Sequence, residues 1–208
     1  MSEHPQLERA VEVMDRLRSP GGCPWDAAQT HESLTRYLLE EAYEVIEAIE
    51  TGDLALLREE LGDLLLQVLF HARIAQEGAD GFTIEDVAGD LVEKLVRRHP
   101  HVFGDVEAGS AQELNEAWER HKIAEKSRMS AIDGVPLAQP ALALAAKLMS
   151  RTKRAGLELA PSSGNEIGER LFAVVSDAVA AGVDPEAALR ETSRAYAAAV
   201  VRAESINE

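Results

Sequence analysis

Five acidic residues lie on two neighbouring segments of the chain, with a spacing that could bind a divalent metal ion. Glu40, Glu41 and Glu44 belong to the first segment, and Glu60 and Asp63 belong to the second. On an α-helix, residues three apart lie on one face about one turn from each other, which pairs Glu41 with Glu44 and Glu60 with Asp63. Four carboxylates that face one gap suit a hard cation such as Mg²⁺, whose octahedral shell phosphate oxygens and water would complete.

The segments that carry these acids have the apolar periodicity of two α-helices. Apolar residues recur at helical spacing across residues 38–49, and the next segment, about 54–76, is apolar almost all round, which predicts a buried helix. The short connection at residues 51–53 predicts an antiparallel pair, so the two acid pairs can converge. Asp63 would then need a positive partner, because an unpaired buried charge costs several kcal/mol.

Two other interpretations of the acids are a di-iron site and a solvated surface. A di-iron carboxylate bundle uses Glu-x-x-His motifs, but none of the six histidines has Glu three residues before it. A single Glu on a helix is most often a solvated surface residue. Two acid pairs that flank apolar stripes on consecutive helices are much rarer, and they favour metal binding.

The remaining sequence also has helical periodicity, and no segment shows the sustained alternation of a β-strand, so we predict an all-α fold. Asp26 with Gln29 resembles a capping box for the helix that carries the first acids. Helices are also predicted at about 6–18, 110–128, 140–155, 166–181 and 185–203. A further helix is predicted after the loop at residues 78–83, and it carries Ile84, Val87, Leu91, Leu95 and Val96 and stops at Pro100.

Composition excludes several classes of function. The chain has 208 residues and a formal net charge of −16, which disfavours binding to a nucleic-acid polymer or an anionic membrane. No run of 18 apolar residues occurs, so no membrane span is expected. The polar N-terminus predicts no signal peptide, and the single Cys23 excludes an intrachain disulfide framework. Together these features predict a cytoplasmic protein.

The motifs and their order resemble those of the MazG-type nucleoside triphosphate pyrophosphohydrolases. Glu40-Glu41-x-x-Glu44, followed after fifteen residues by Glu60-x-x-Asp63, is similar to the EExxE…ExxD signature of that family. Flanking matches occur at residues 22–26, 29–30, 39–45, 60–65, 97–103 and 118–119. The resemblance covers about residues 7–155 and implies a helical bundle of the all-α NTP pyrophosphohydrolase type.

The resemblance also implies an activity. We expect Mg²⁺-dependent hydrolysis of an NTP or dNTP to the monophosphate and pyrophosphate, with Mn²⁺ as a possible substitute, in a homodimer or higher homo-oligomer that cleans the nucleotide pool. By position, Glu41, Glu44, Glu60 and Asp63 match the metal ligands of the family. Glu40 matches a neighbouring acid at the nucleotide site, so all five are expected to be catalytic.

Basic and aromatic residues are expected to bind the substrate. Lys94, Arg97 and Arg98 project within about 100° of one another on one helix, and guanidinium forks suit phosphate oxygens. Without the family resemblance, these basic residues could equally well compensate the negative end of the helix dipole. The resemblance favours phosphate binding. Trp118 and Lys122, an i, i+4 pair, match nucleotide contacts of the family.

Tyr37 is also expected to contact the substrate. Trp25 has two open interpretations, because it could line the pocket or pack its loop against the protein. His71, within an apolar helix, is interpreted as a hydrogen-bonded core histidine. His99 and His101 flank a helix-ending proline without a third ligand, which disfavours a metal site there.

The C-terminal segment resembles a degenerate second copy of the domain, since longer family members carry two. Glu166 and Glu169 lie where a second ExxD motif would be, with Glu in place of Asp and no EExxE helix before it. Ala198 and Ala199 stand where the basic pair would be. We therefore predict a catalytic domain, a linker and a structural helical region at residues 1–130, 131–140 and 141–208.

A function of another class is the alternative. The chain could be a non-catalytic helical module whose acidic cluster binds a metal or a basic partner protein. Five acids together with a basic pair favour the enzyme, because a binding module needs no such convergence.

Overall fold

The computed structural model describes residues 4–105, 109–110, 113–114, 130–157, 159 and 166–206. The chain divides into two compact units, Met1–Ala111 and Gln112–Glu208. The regular elements of the described residues are all α-helices, which confirms the predicted fold class. None of these helices combines the length and the apolar content that crossing a membrane requires.

The first unit is built around a long helical hairpin. Its described helices are α1 (Pro5–Arg18), α2 (Pro24–Ala27), α3 (His31–Thr51), α4 (Leu54–Ala75), α5 (Ile84–Arg98) and α6 (Pro100–Phe103). Gly52, at φ 72°, ends α3 in the left-handed conformation that glycine tolerates best. Asp53 then caps α4, because its Oδ1 accepts hydrogen bonds from the backbone N–H groups of Ala55 and Leu56 at 2.9 and 3.1 Å. This tight connection makes α3 and α4 antiparallel neighbours.

The core of this unit lies where α1, α3 and α4 meet. Met14, Leu34, Leu69 and Phe70 are the buried residues of its apolar cluster. Half-buried side chains, including Tyr37, surround that cluster. The core therefore lies towards the open end of the hairpin, away from the turn at Gly52.

A buried arginine ties the short helix α2 to this core. Arg18 forms an ion pair with Glu77 in which both nitrogen–oxygen distances are 2.9 Å, and it donates hydrogen bonds to the carbonyl oxygens of Asp26 and Gln29.

Trp25 of α2 packs edge-on against the rings of Tyr37 and Phe70, with ring centroids 6.1 and 6.4 Å away. These contacts support packing of the loop as a role of Trp25.

The predicted cap of α3 was wrong. Thr30 is the N-cap residue, and its side chain accepts a hydrogen bond from the backbone N–H of Ser33 while the Ser33 hydroxyl accepts one from the backbone N–H of Thr30. Asp26 instead lies inside α2, which begins at Pro24. Because proline favours the first turn of a helix, the chain makes a separate short helix there.

The prediction that α4 is buried all round was also wrong. Leu61 and Val68 expose 49% and 39% of their surface, although Leu69 and Phe70 are buried. Helices α1, α3 and α5 pack against α4, and the described helices leave one of its apolar faces exposed.

The second unit contains three long helices among its described residues. They are α7 (Ala141–Arg154), α8 (Ile167–Ala180) and α9 (Pro185–Ile206), close to the predicted bounds. Val175 of α8 is buried at 1% exposure, and α7 packs against α8. The helix predicted at 110–128, with Trp118 and Lys122, lies largely outside the described residues.

Candidate metal centre

The α3–α4 hairpin brings acids of both helices together. Glu41 of α3 and Glu60 and Asp63 of α4 each place one carboxylate oxygen within 4.8 Å of the other two. Glu44, one turn after Glu41, is close enough to share a hydrogen bond with either Glu41 or Glu60. These four residues, the acidic cluster, converge as their spacing predicted. Glu40 lies beside them on the exposed side of α3.

The electrostatics of the acidic cluster favour a cation. Glu60 is only 9% exposed, and burial together with Glu44 and Asp63 raises its pKa. Burial together with Asp63 and Glu44 likewise raises the pKa of Glu41. Within the described ranges, no lysine or arginine forms an ion pair with any of the four carboxylates. A bound cation would offset the repulsion among the carboxylates and would lower these pKa values.

The donor set indicates which cation fits. The three closest ligand atoms are all carboxylate oxygens, and the group contains no histidine or cysteine. Hard cations such as Mg²⁺ and Mn²⁺ prefer oxygen donors, whereas zinc sites usually include nitrogen or sulfur. With carboxylates on one side, the rest of an octahedral shell is left for water and phosphate oxygens. The residues present therefore fit Mg²⁺.

Tyr37 lies on α3 one turn before Glu41, so both can border the same space. The guanidinium of Arg36 lies 4.5 Å from the centre of the Tyr37 ring and donates a hydrogen bond to its hydroxyl. No carboxylate of the described chain pairs with Arg36.

The predicted phosphate-binding residues lie at the end of α5. Lys94 and Arg98 are half-buried, and Arg97 is exposed, in the last two turns of that helix. Helix α5 packs against α4, which carries Glu60 and Asp63. The basic residues and the acidic cluster thus belong to adjoining helices of one unit.

His71 only partly matches its predicted role. Its Nδ1 lies 2.8 Å from Nδ1 of His31, and the two rings are parallel with centroids 5.1 Å apart. Its Nε2 is buried without a hydrogen-bond partner, as is Oε1 of Gln67. Burial and the neighbouring His31 lower the pKa of His71. The Nδ1 atom of His71 thus has the expected hydrogen-bond partner, whereas its Nε2 atom contacts none in this structure.

The acid pair of the second unit has a different position. Glu166 is the N-cap residue of α8, and its backbone N–H donates to Oε2 of Glu169 at 3.4 Å. In the described part of the chain, no further Asp, Glu, His or Cys joins this pair at metal-binding distance. The pair forms the start of a helix.

The comparisons with known proteins agree with one another. The profile of the MazG nucleotide pyrophosphohydrolase domain matches residues 29–103, a range that includes α3, α4 and α5. A protein of Streptomyces cacaoi, described as the 26.1 kDa protein in the blaB 3' region, is 55% identical over 202 residues. That alignment covers 96% of this chain and 83% of the relative.

Two further relatives have names that state an activity. The nucleoside triphosphate pyrophosphohydrolase/pyrophosphatase MazG of Thermotoga maritima is 41% identical over 214 residues, which cover 91% of this chain and 82% of the relative. The nucleoside triphosphate pyrophosphohydrolase of Mycobacterium tuberculosis is 47% identical over 188 residues, which cover 89% of this chain and 54% of the relative. The residues that match the MazG domain profile include all four members of the acidic cluster.

Proposed function

The chain belongs to the MazG nucleotide pyrophosphohydrolase family, and on this premise we propose that it hydrolyses nucleoside triphosphates at the acidic cluster with Mg²⁺ as cofactor. The observation that carries the proposal is the convergence of carboxylate oxygens from Glu41, Glu60 and Asp63 within 4.8 Å. The names of the relatives support the substrate class and the reaction. An NTP or dNTP is converted to the monophosphate and pyrophosphate, a reaction suited to cleaning the nucleotide pool.

The roles of the acidic residues follow from their positions. Glu41, Glu44, Glu60 and Asp63 would hold the metal between α3 and α4. Bound there, Mg²⁺ would lower the pKa of a coordinated water and offset the charge of the phosphates. Glu40, exposed beside the cluster, is the side chain we assign to accept a proton from the attacking water.

The bond changes balance without a protein nucleophile. The water oxygen bonds to the α-phosphorus, and the bond between the α-phosphorus and the oxygen that bridges it to the β-phosphate breaks. The bridging oxygen keeps the electron pair and leaves as part of pyrophosphate. Lys94, Arg97 and Arg98 would bind the phosphate oxygens, since guanidinium groups form paired hydrogen bonds with them. We assign Tyr37 to the substrate pocket because it lies one turn from Glu41.

Trp118 and Lys122 complete the proposed substrate-binding set. They lie outside the described residues, so the proposal for them depends on their i, i+4 spacing and on the family motif. An indole can stack on a nucleobase, and an ammonium one turn later can reach a phosphate.

We also propose that the chain forms a homodimer or a higher homo-oligomer. Apolar residues on α4 and α5 are exposed: Leu61 at 49%, Leu91 at 45%, Val92 at 58% and Val96 at 42%. A second copy of the chain would cover them, because isolated proteins rarely leave a large apolar patch in water. Light scattering should give at least twice the chain mass, and Val92→Lys should lower it. Leu137→Lys, at a 74% exposed position of the second unit, is the matched control.

The activity is tested by product analysis. Purified protein is incubated with a panel of NTPs and dNTPs, with Mg²⁺ or with EDTA, and the products are separated by ion-exchange chromatography. We expect monophosphate and pyrophosphate in equal amounts, with no orthophosphate and no turnover in EDTA. Binding of Mg²⁺ without turnover of any nucleotide would instead favour the non-catalytic acidic module.

A further inference from the structure

Three polar side chains follow one another along one side of α4. Asp63, Gln67 and His71 are spaced four residues apart, so each lies one turn after the previous one on the same side of the helix. Glu41 of α3 meets Asp63 at one end of this series, and His31 meets His71 at the other. Gln67 therefore lies between two contacts that join α3 and α4.

Gln67 is an unusual residue for this position. It is only 4% exposed, and its Oε1 is buried with no hydrogen-bond partner. Nε2 of His71, one turn later, is buried without a partner as well. A buried polar atom without a partner destabilises a protein, so two of them on successive turns call for an arrangement that joins them. A small side-chain rotation or one buried water would do so.

The chemistry of the two groups sets the direction of that hydrogen bond. The amide oxygen of Gln67 can only accept, so Nε2 of His71 must carry the proton. In a neutral ring, Nδ1 of His71 is then the acceptor, and Nδ1 of His31 must donate to it across 2.8 Å. The lowered pKa of His71 is consistent with a neutral ring.

The NH₂ group of the same amide is the donor that Gln67 can offer to Asp63. Side chains on a helix lean back towards its N-terminus, so His71 leans towards Gln67 and Gln67 leans towards Asp63. With Oε1 engaged by His71, the NH₂ group of Gln67 is free to donate to the Asp63 carboxylate. Asp63 belongs to the acidic cluster, where it raises the pKa of Glu41.

We propose that Gln67 is a positioning residue for the metal site, which orients the Asp63 carboxylate towards Glu41 and Glu60 while the His31–His71 pair holds its amide. The inference rests on the proposed function, because Asp63 is a metal ligand only if the acidic cluster binds the ion. Loss of a residue that hydrogen-bonds to a metal ligand typically lowers metal affinity or activity by about 10–100-fold.

The first test compares Gln67→Met with Leu65→Met, a half-buried position on the same helix that packs against the core. Methionine keeps the length of glutamine but cannot donate to Asp63. Isothermal titration with Mg²⁺ in the absence of nucleotide should show binding weakened about tenfold or more in Gln67→Met and unchanged in Leu65→Met. Turnover of Gln67→Met should recover towards the wild-type value at saturating Mg²⁺. Unchanged Mg²⁺ affinity in folded Gln67→Met would overturn the proposal.

The second test needs no variant, so it holds if Gln67→Met does not fold. Long-range ¹H–¹⁵N NMR on ¹⁵N-histidine-labelled wild-type protein reports which ring nitrogen carries the proton. We expect His71 to be protonated on Nε2 and bare on Nδ1 near neutral pH, and protonation on Nδ1 would overturn the proposal. Failure of the proposed function has a different signature, namely wild-type protein that binds Mg²⁺ but hydrolyses no nucleotide.

Discussion

The two units carry acid pairs of the same spacing in different surroundings. In the first unit, Glu60 and Asp63 lie in the second and third turns of α4, where they face the acids of α3. In the second unit, Glu166 and Glu169 lie at the first turn of α8 and form part of its N-terminal cap. The comparison teaches that the position of an acid pair along its helix decides whether it faces another helix or its own backbone.

The helix packed against each pair differs as well. Helix α3, which packs against α4, contributes Glu41 and Glu44. Helix α7, which packs against α8, contains no Asp or Glu and has Arg151, Lys153 and Arg154 in its last turn. A single acid pair without acids on the opposite helix cannot enclose a divalent ion. The difference therefore predicts that the acid pair of the first unit binds the metal ion and that the acid pair of the second unit does not.

The largest effect should come from Glu41→Gln in the first unit. Loss of a residue that only hydrogen-bonds to a metal ligand can lower activity by roughly 100-fold. Loss of a metal ligand itself should lower kcat/KM by more than that. The thermal midpoint in EDTA should stay level or rise, because one repelling charge is gone, while the increase produced by Mg²⁺ in the wild type should shrink. Steady-state kinetics and thermal melts measure both effects.

Glu47→Gln is the matched control for that variant, since Glu47 is an exposed acid of α3 outside the acidic cluster. It removes the same charge from the same helix and should keep wild-type kinetics. Near-wild-type turnover of Glu41→Gln at saturating Mg²⁺ would remove Glu41 from the ligand set.

The next effect should come from Arg97→Ala or Arg98→Ala at the end of α5. A charge-assisted hydrogen bond to phosphate contributes about 1.5–3 kcal/mol, so KM for the nucleotide should rise about tenfold or more. Lys153→Ala removes a comparable exposed charge from the end of α7 and should leave KM unchanged. If both arginine variants match the wild type, the basic pair only compensates the helix dipole.

A smaller, pH-dependent effect should distinguish the ion pairs of the two units. The Arg18 side chain lowers the pKa of Glu77 in the folded protein. A lowered pKa stabilises the folded protein at pH values above the pKa of the unfolded state, which is about 4.3. This stabilisation is lost as the pH falls through the pKa of the folded state. Because the Glu77 side chain is 41% exposed, solvent screening limits the effect to about 1 kcal/mol.

Urea unfolding from pH 7 down to pH 3 measures this contribution. The free energy of unfolding of Glu77→Gln should approach that of the wild type as pH falls. Arg190→Met is the control in the second unit, where Arg190 and Glu186 are 3.9 Å apart on one helix. A gap between wild type and Glu77→Gln that is constant with pH would contradict the assignment.

The sequence predicted what depends on local periodicity. The helices, the α3–α4 hairpin and the convergence of its acids follow from the spacing of apolar and acidic residues and from the tight turn at Gly52. The sequence pattern predicts the cap of α3 at Asp26, because Asp26 with Gln29 has the spacing of a capping box, whereas the N-cap in the structure is Thr30. Pro24 decides between them by beginning a helix of its own.

Contacts distant in sequence could not be predicted. Arg18 and Glu77 are separated by 59 positions, and nothing in either segment indicates the other. The pairing of His31 with His71 depends on the register of α3 against α4, which a single helix does not encode. The exposed apolar face of α4 was missed because composition alone does not say which side the neighbouring helices cover.

The smallest effect on activity should come from the acid pair of the second unit. In Glu166→Ala with Glu169→Ala, kcat and KM should match the wild type, because these acids cap α8 and face no acids on α7. The expected change is a loss of about 1 kcal/mol in the stability of that unit, the typical contribution of an N-cap, measured by urea unfolding. The pair of variants Glu60→Ala and Asp63→Ala is the direct counterpart, with the same spacing and the same charge removed from α4, and it should abolish turnover. A folded Glu166→Ala, Glu169→Ala protein that binds Mg²⁺ normally and yet is inactive would show that this acid pair takes part in the chemistry.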